Sequence, residues 1–165
     1  MSFMATTVLS TDRSSPQHDH DPITVVLVED HEQLRPLLIE LLTKVGIEVV
    51  AGVGSFDEGR DAALLHHPAV IVLGEHPDLD LCVAVCAELT QALPATPIVI
   101  HSTLVTGPLI HKARHAGAAA VITMNISGEP LITTITRLGG GMRSPGGRHG
   151  SRTRVLAVIG VAGSE

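Results

Sequence analysis

The stretch AVIVLGEHPDLD, residues 69–80, decides the fold. Its first five residues are an apolar run without polar alternation, the pattern of a strand buried on both faces. Such strands belong to parallel sheets covered by helices, and in those sheets ligands bind beyond the carboxyl ends of the strands. Gly74, Glu75, His76 and Pro77 therefore stand where a reacting side chain is expected.

Outward from this strand the chain alternates. Upstream, a strand is predicted over 23–28 and a helix over 32–45, where Leu34, Leu37, Leu38, Leu41 and Leu42 share one face and Gly46 supplies the stop. IEVVAGV gives a second strand, and Ser55 with Glu58 three residues on is a capping-box signature for a helix running to His67, ended by Pro68. Downstream come a helix over 81–93, the strand IVIHS, a helix over 108–116 closed by Gly117, the strand AAAVIT, and a helix over 129–138 capped by Ser127. Five strands alternating with five helices predict an α/β fold, a doubly wound five-stranded parallel sheet with helices on both faces.

Residues 23–138 make one domain. Residues 1–22 mix Ser, Thr, Asp, His and Pro without periodicity and are predicted to be a disordered leader. Residues 139–165 begin as a Gly- and Arg-rich linker and end in the short apolar tail VLAVIGVAG, with no recognisable output domain. That tail is long enough for one strand, and an open sheet edge of this copy or of a neighbouring one is its expected berth.

Composition narrows the function. Aromatic residues are 1% of the chain, against base stacking on a single-stranded nucleic acid, and the acidic body, thirteen acids to six bases over 23–138, repels a phosphate backbone. No apolar run approaches a membrane span, no secretory leader is visible, and Cys82 and Cys86 form no disulfide framework, so a cytoplasmic location is expected. Cys82 and Cys86 pair at helical spacing, as do His111 and His115, but convergence on zinc is a weaker reading than buried apolar thiols. His101, within a core strand, reads as a hydrogen-bonded core histidine.

The order βαβαβαβαβα, with Glu29-Asp30 ending strand one, a hydroxyl residue ending strand four and AGAAAVIT before the last helix, resembles the receiver domain of bacterial response regulators, a flavodoxin-like fold. SGEPLITTITRLGGG, 127–141, is similar to the last helix of receivers in NarL-like regulators. The resemblance implies an acidic pair holding magnesium, an aspartate after strand three accepting a phosphoryl group, a Thr or Ser after strand four and a Lys after strand five. Hard cations take carboxylate oxygens, and phosphoryl transfer needs an aligned nucleophile with cations around the developing charge. Glu29 and Asp30 keep the acidic pair, as a weak magnesium site or its remnant, and Ser102 keeps the hydroxyl. The acceptor position falls on Gly74, with an uncertainty of one residue in the loop before Pro77, and the Lys position falls on Met124.

The expected function is accordingly that of an atypical, degenerate receiver: a phosphorylation-independent protein-interaction module in two-component-type signalling or transcription regulation, not an enzyme. The resemblance implies a signalling partner, or a second copy in a homodimer, on the face of helix four, strand five and helix five, to which Val105, Leu109, Ile110, Ala113, Leu131 and Ile135 would contribute. Two alternatives stay open. One is a receiver phosphorylated on an unusual carboxylate, Glu75 or Asp78; the other is the receiver part of a DNA-binding regulator whose helix-turn-helix is absent from this chain.

Overall fold

Alternate residues of the central strands divide the core into two halves. Val26, Val28, Ile71, Leu73, Ile98, Ile100 and Val121 point to one side of the sheet, while Val25, Leu27, Val70, Val72, Val99 and Ile122 point to the other. Because both sets are apolar, both faces need helices, and the period-two alternation makes each strand double-sided. The computed structural model describes residues 21–140 and 157–159. The expected disordered leader, apart from Asp21 and Pro22, and most of the expected 139–165 linker and tail fall outside the described residues.

The elements in chain order are β1 (Thr24–Val28), α1 (Leu34–Lys44), β2 (Glu48–Val53), α2 (Phe56–His66), β3 (Val70–Gly74), α3 (Leu79–Ala92), β4 (Ile98–Ser102), α4 (Gly107–Ala116), β5 (Ala120–Thr123), α5 (Glu129–Gly140) and β6 (Ala157–Ile159). The sheet order is β2-β1-β3-β4-β5-β6 with every pair parallel. Leu109, Cys86, Leu89 and Ala63 place α4, α3 and α2 on the first face; Leu38, Leu42, Leu131 and Ile135 place α1 and α5 on the second. The five predicted strands and helices are all present, and a sixth strand joins them. The apolar tail pairs with β5 along its own chain, from Ala120 beside Ala157 to Ile122 beside Ile159.

Helix ends follow local chemistry. Ser55 accepts the N–H of Glu58 at 3.3 Å, as its capping box predicts, and α2 closes on His67 in the left-handed region. The α3 helix starts at Leu79, two residues before the expected position, because Asp78 Oδ1 accepts the N–H of Leu81 at 3.1 Å and caps it there. Thr106 caps α4 through the N–H of Leu109, and Gly117, at a φ of 92°, ends it. The order reverses between β1 and β3, so a crevice opens beyond their carboxyl ends, where doubly wound sheets bind ligands.

Candidate functional site

Strand register brings the singled-out residues together. Val28 lies beside Leu73, so Glu29 follows the end of β1 next to Gly74, the last residue of β3; Gly74 in turn pairs with His101. Ser102 pairs with Thr123, and Met124 donates its N–H to the carbonyl of Ser102 at 2.7 Å. Glu29, Gly74, Ser102 and Met124 thus sit at adjoining strand ends along one rim of the sheet. A cleft of about 250 Å³ opens there, lined by Asp30, Ser55, Phe56, Gly74, Glu75 and His76 among others.

Glu29 dominates the rim. The residue is 3% exposed; its Oε1 accepts the N–H of His31 at 3.0 Å, while Oε2 is buried without a partner among the described residues. Burial raises its pKa above the usual carboxylate value, the His31 N–H works against this, and the charge of Asp30 adds to it. A β-carbon placed on Gly74 would stand 2.7 Å from Glu29 Oε2 and 2.8 Å from the carbonyl oxygen of Val28. The space that a side chain at 74 would need is therefore filled by the Glu29 carboxylate and by backbone. Arg35 leaves that carboxylate alone and donates from Nη1 to the backbone oxygen of Glu29 at 2.9 Å.

These groups make a poor magnesium site. Asp30 is exposed, Gly74 beside them offers no side-chain oxygen, and a carboxylate whose pKa burial raises is a weaker ligand for a hard cation. Among the described residues no group of three or more His, Cys, Asp or Glu side chains could hold a metal ion. The zinc reading fails with it: Cys82 and Cys86 are buried in the core, burial pushing the Cys82 thiol up to about 11, and the exposed His111 and His115 rings turn to each other with centroids 4.5 Å apart.

The remaining side chains are engaged locally. Ser102 Oγ donates to the carbonyl of Leu104 at 3.1 Å and accepts its N–H at 3.3 Å, so the hydroxyl is turned into its own loop. Glu75 accepts through Oε2 from the Thr103 N–H at 3.0 Å and from the Thr103 hydroxyl, tying the β3–α3 loop to the β4–α4 loop. Asp78 caps α3. His101 is 2% exposed as expected of a core histidine, yet its Nδ1 has no hydrogen-bond partner among the described residues. Burial lowers its pKa to about 4, against the opposing pull of Glu75.

The expected interaction face needs correction. Leu109, Ala113, Leu131 and Ile135 are at most 3% exposed and belong to the two core halves, because the apolar stripe of each helix faces the sheet. Val105 and Ile110 are half-buried against the core, and the exposed apolar side chains nearby are Leu104 and Ile126, in the loops after β4 and β5. Thr103 and Arg35 were not legible as site residues. Thr103 follows Ser102 by one position, and only the pairing of β3 with β4 brings it within hydrogen-bond reach of Glu75.

The described domain has the fold of response-regulator receiver domains. No family model matches the chain. It is 29% identical over 125 residues to the transcriptional regulatory protein PdtaR of Mycobacterium tuberculosis, in two strains, a match covering 74% of this chain and 60% of that protein. The chain therefore spans about 60% of the length of these curated relatives. Among solved structures it is similar to the signal receiver domain of the response regulator NarL from M. tuberculosis, with 20% identity, a TM-score of 0.66, and coverage of 74% of this chain and 99% of that one. The CheX–CheY complex of Borrelia burgdorferi with BeF3 and magnesium matches at 15% identity and a TM-score of 0.64, covering 71% of this chain and 89% of that one.

Proposed function

We propose that this chain is an atypical receiver that works as a protein-interaction module in two-component-type signalling or transcription regulation without taking up phosphate. The observation that carries the reading is the Glu29 carboxylate seated where an acceptor side chain at 74 would stand. Phosphoryl transfer needs an aligned nucleophile, a bound divalent cation and a cation on the transferring group. Here the first position is glycine, the donor set for the second is incomplete, and the third is Met124. Glu29 and Asp30 are on this reading a remnant and Ser102 a retained hydroxyl with no phosphate to contact.

Glu75 takes over one structural task. A phosphoryl group would recruit the hydroxyl residue at the end of β4 and so fix the loop leading into α4. The Glu75 carboxylate bonds the next residue, Thr103, and holds that loop with no phosphate present. The α4–β5–α5 side is then displayed in one state, to a protein partner. No described helix is long and apolar enough to cross a membrane, and the acidic body speaks for a protein rather than a nucleic acid. We place the protein in the cytoplasm and read it as a non-enzyme.

The printed name and greater length of the PdtaR relatives favour a second reading, the receiver part of a transcription regulator. Phosphorylation of Glu75 or Asp78 is less well supported, since both carboxylates are already bonded to neighbouring backbone. The test is incubation with isotopically labelled acetyl phosphate and magnesium. No acid-labile label should accumulate on the chain; stoichiometric label on any carboxylate refutes the proposal.

A further inference from the structure

One turn of α4 sets His111 and His115 four residues apart, where helical side chains are neighbours. Both are exposed, and their rings meet with centroids 4.5 Å apart and planes at 65°. Neither ring makes a hydrogen bond to protein among the described residues, so the nitrogen lone pairs are open to another ligand.

The ring spacing has a chemical meaning. An imidazole nitrogen binds a late first-row divalent ion at about 2.0–2.1 Å and the ring centre lies about 1.1 Å further out, so two rings at right angles around one ion have centres roughly 4.5 Å apart. At a tetrahedral angle the same two centres would stand about 5.1 Å apart. The observed 4.5 Å is the right-angle value, that of the square-planar and tetragonal nitrogen sites that copper(II) prefers.

The surroundings suit a cation on neutral ligands. The pair lines a groove between α3 and α4 together with Asp80, Val83, Ala84 and Ala87, and its volume of about 480 Å³ leaves room for the waters that complete coordination. Lys112, the fixed positive charge in that groove, is already paired with Asp80 at 2.5 Å, and Arg114 does not line it. His115 lies in the last turn of α4, where the helix dipole favours positive charge. No third His, Cys, Asp or Glu among the described residues closes the site, which makes it an open chelate and not a structural zinc centre. Cys82 and Cys86 take no part in it.

We propose that His111 and His115 form a two-imidazole site on α4 for a late first-row divalent metal ion, copper(II) ahead of zinc(II), with water in the remaining positions. The ion would clasp the C-terminal half of α4 and hold exchangeable coordination positions toward the α3–α4 groove. The site is separate from the Glu29 rim and does not depend on whether that rim takes phosphate.

The test is a titration of the full chain with copper(II), zinc(II) or magnesium at neutral pH, for the parent, His111→Gln and His115→Gln. Amide NMR spectra locate each ion and so separate this pair from the other histidines of the chain. Substoichiometric copper(II) should broaden the resonances of residues 110–116 and of Ala84 and Ala87 across the groove. Zinc(II) should shift the same α4 resonances at higher concentration, and magnesium should leave them unmoved. Either substitution should weaken copper binding at α4 on the order of a hundredfold, because the remaining imidazole has lost its chelate partner. Both positions are exposed and glutamine is a good helix former, so the metal-free spectra of the variants should match the parent outside the substituted turn. An α4 left sharp in the parent by equimolar copper(II), broadening centred on His31, His66, His67 or His76 instead, or one variant that binds at α4 as the parent does overturns the chelate. Zinc(II) binding tighter than copper(II) overturns the right-angle geometry assigned to it.

Discussion

Replacing Gly74 by alanine isolates the feature on which the functional reading depends. In β3, Gly74 has no unusual backbone angle, so on general grounds the substitution should stabilise the protein by about 0.4–1 kcal/mol through the unfolded chain. Against this, the new β-carbon would stand 2.7 Å from Glu29 Oε2, 2.8 Å from the Val28 carbonyl oxygen and 3.2 Å from Glu29 Cδ. The Val28 oxygen is backbone in a strand paired on both sides, and cannot retreat as a side-chain end can. Overpacking of this kind costs ~1–3 kcal/mol, which centres the net change on a loss of about 1.3 kcal/mol and, for a domain of this size, a fall in melting temperature of about 4 °C per kcal/mol. Gly74→Asp should lose more, since a second carboxylate would be forced beside Glu29 in a buried place. Adding Glu29→Ala should recover part of the Gly74→Ala loss, but not the part due to Val28. Urea unfolding of the four chains, with slopes compared, measures each quantity. Gly74→Ala as stable as the parent, or more so, would refute the idea that Glu29 fills the space beside residue 74.

The other expectations concern titration and the loop. His101 has a folded pKa of about 4 against 6.5 for an unperturbed histidine, so the unfolded chain binds its proton first; stability should fall as pH drops from 6.5 to 4, by on the order of 3 kcal/mol, and His101→Leu should flatten that limb of a pH-dependent unfolding curve. Glu29 acts with the opposite sign. Its pKa is raised above 4.5 in the folded protein, so its cost is absent below pH 4.5 and grows as pH rises through the raised value; Glu29→Gln should stabilise at neutral pH, with the gain vanishing below 4.5 in the same experiment. Thr103→Val removes the hydroxyl bonded to Glu75, and the amides of Thr103 and Leu104 should exchange faster while those of β3 keep their protection.

The fold was legible because its signals are local and repeated. Each strand from β1 to β5 is built on an apolar run, most connections carry a Gly, Pro, Ser or Thr, and Ser55 and Gly117 perform their tasks as read from the sequence. The start of α3 was misplaced because Asp78 competes as a cap only when the chain after Pro77 has turned. The site was legible as a set of positions and not as contacts. That residue 74 lacks a side chain is a fact of sequence; that Glu29 occupies its space depends on the register of β1 on β3. The resemblance implies an interaction face on α4 and α5 without saying which of their apolar residues point outward, and Leu109 and Ile135 point inward.

The central claim is that the rim holds its loops in one state without phosphate or metal. Backbone amide NMR spectra of the full chain, recorded alone, with magnesium, and with magnesium and beryllofluoride, test it most directly. The account predicts that resonances of Glu29, Gly74, Thr103, Leu104 and the α4–β5–α5 segment coincide in all three. Saturable shifts at Gly74 and Thr103 that spread into α4 only when beryllofluoride is present would contradict it.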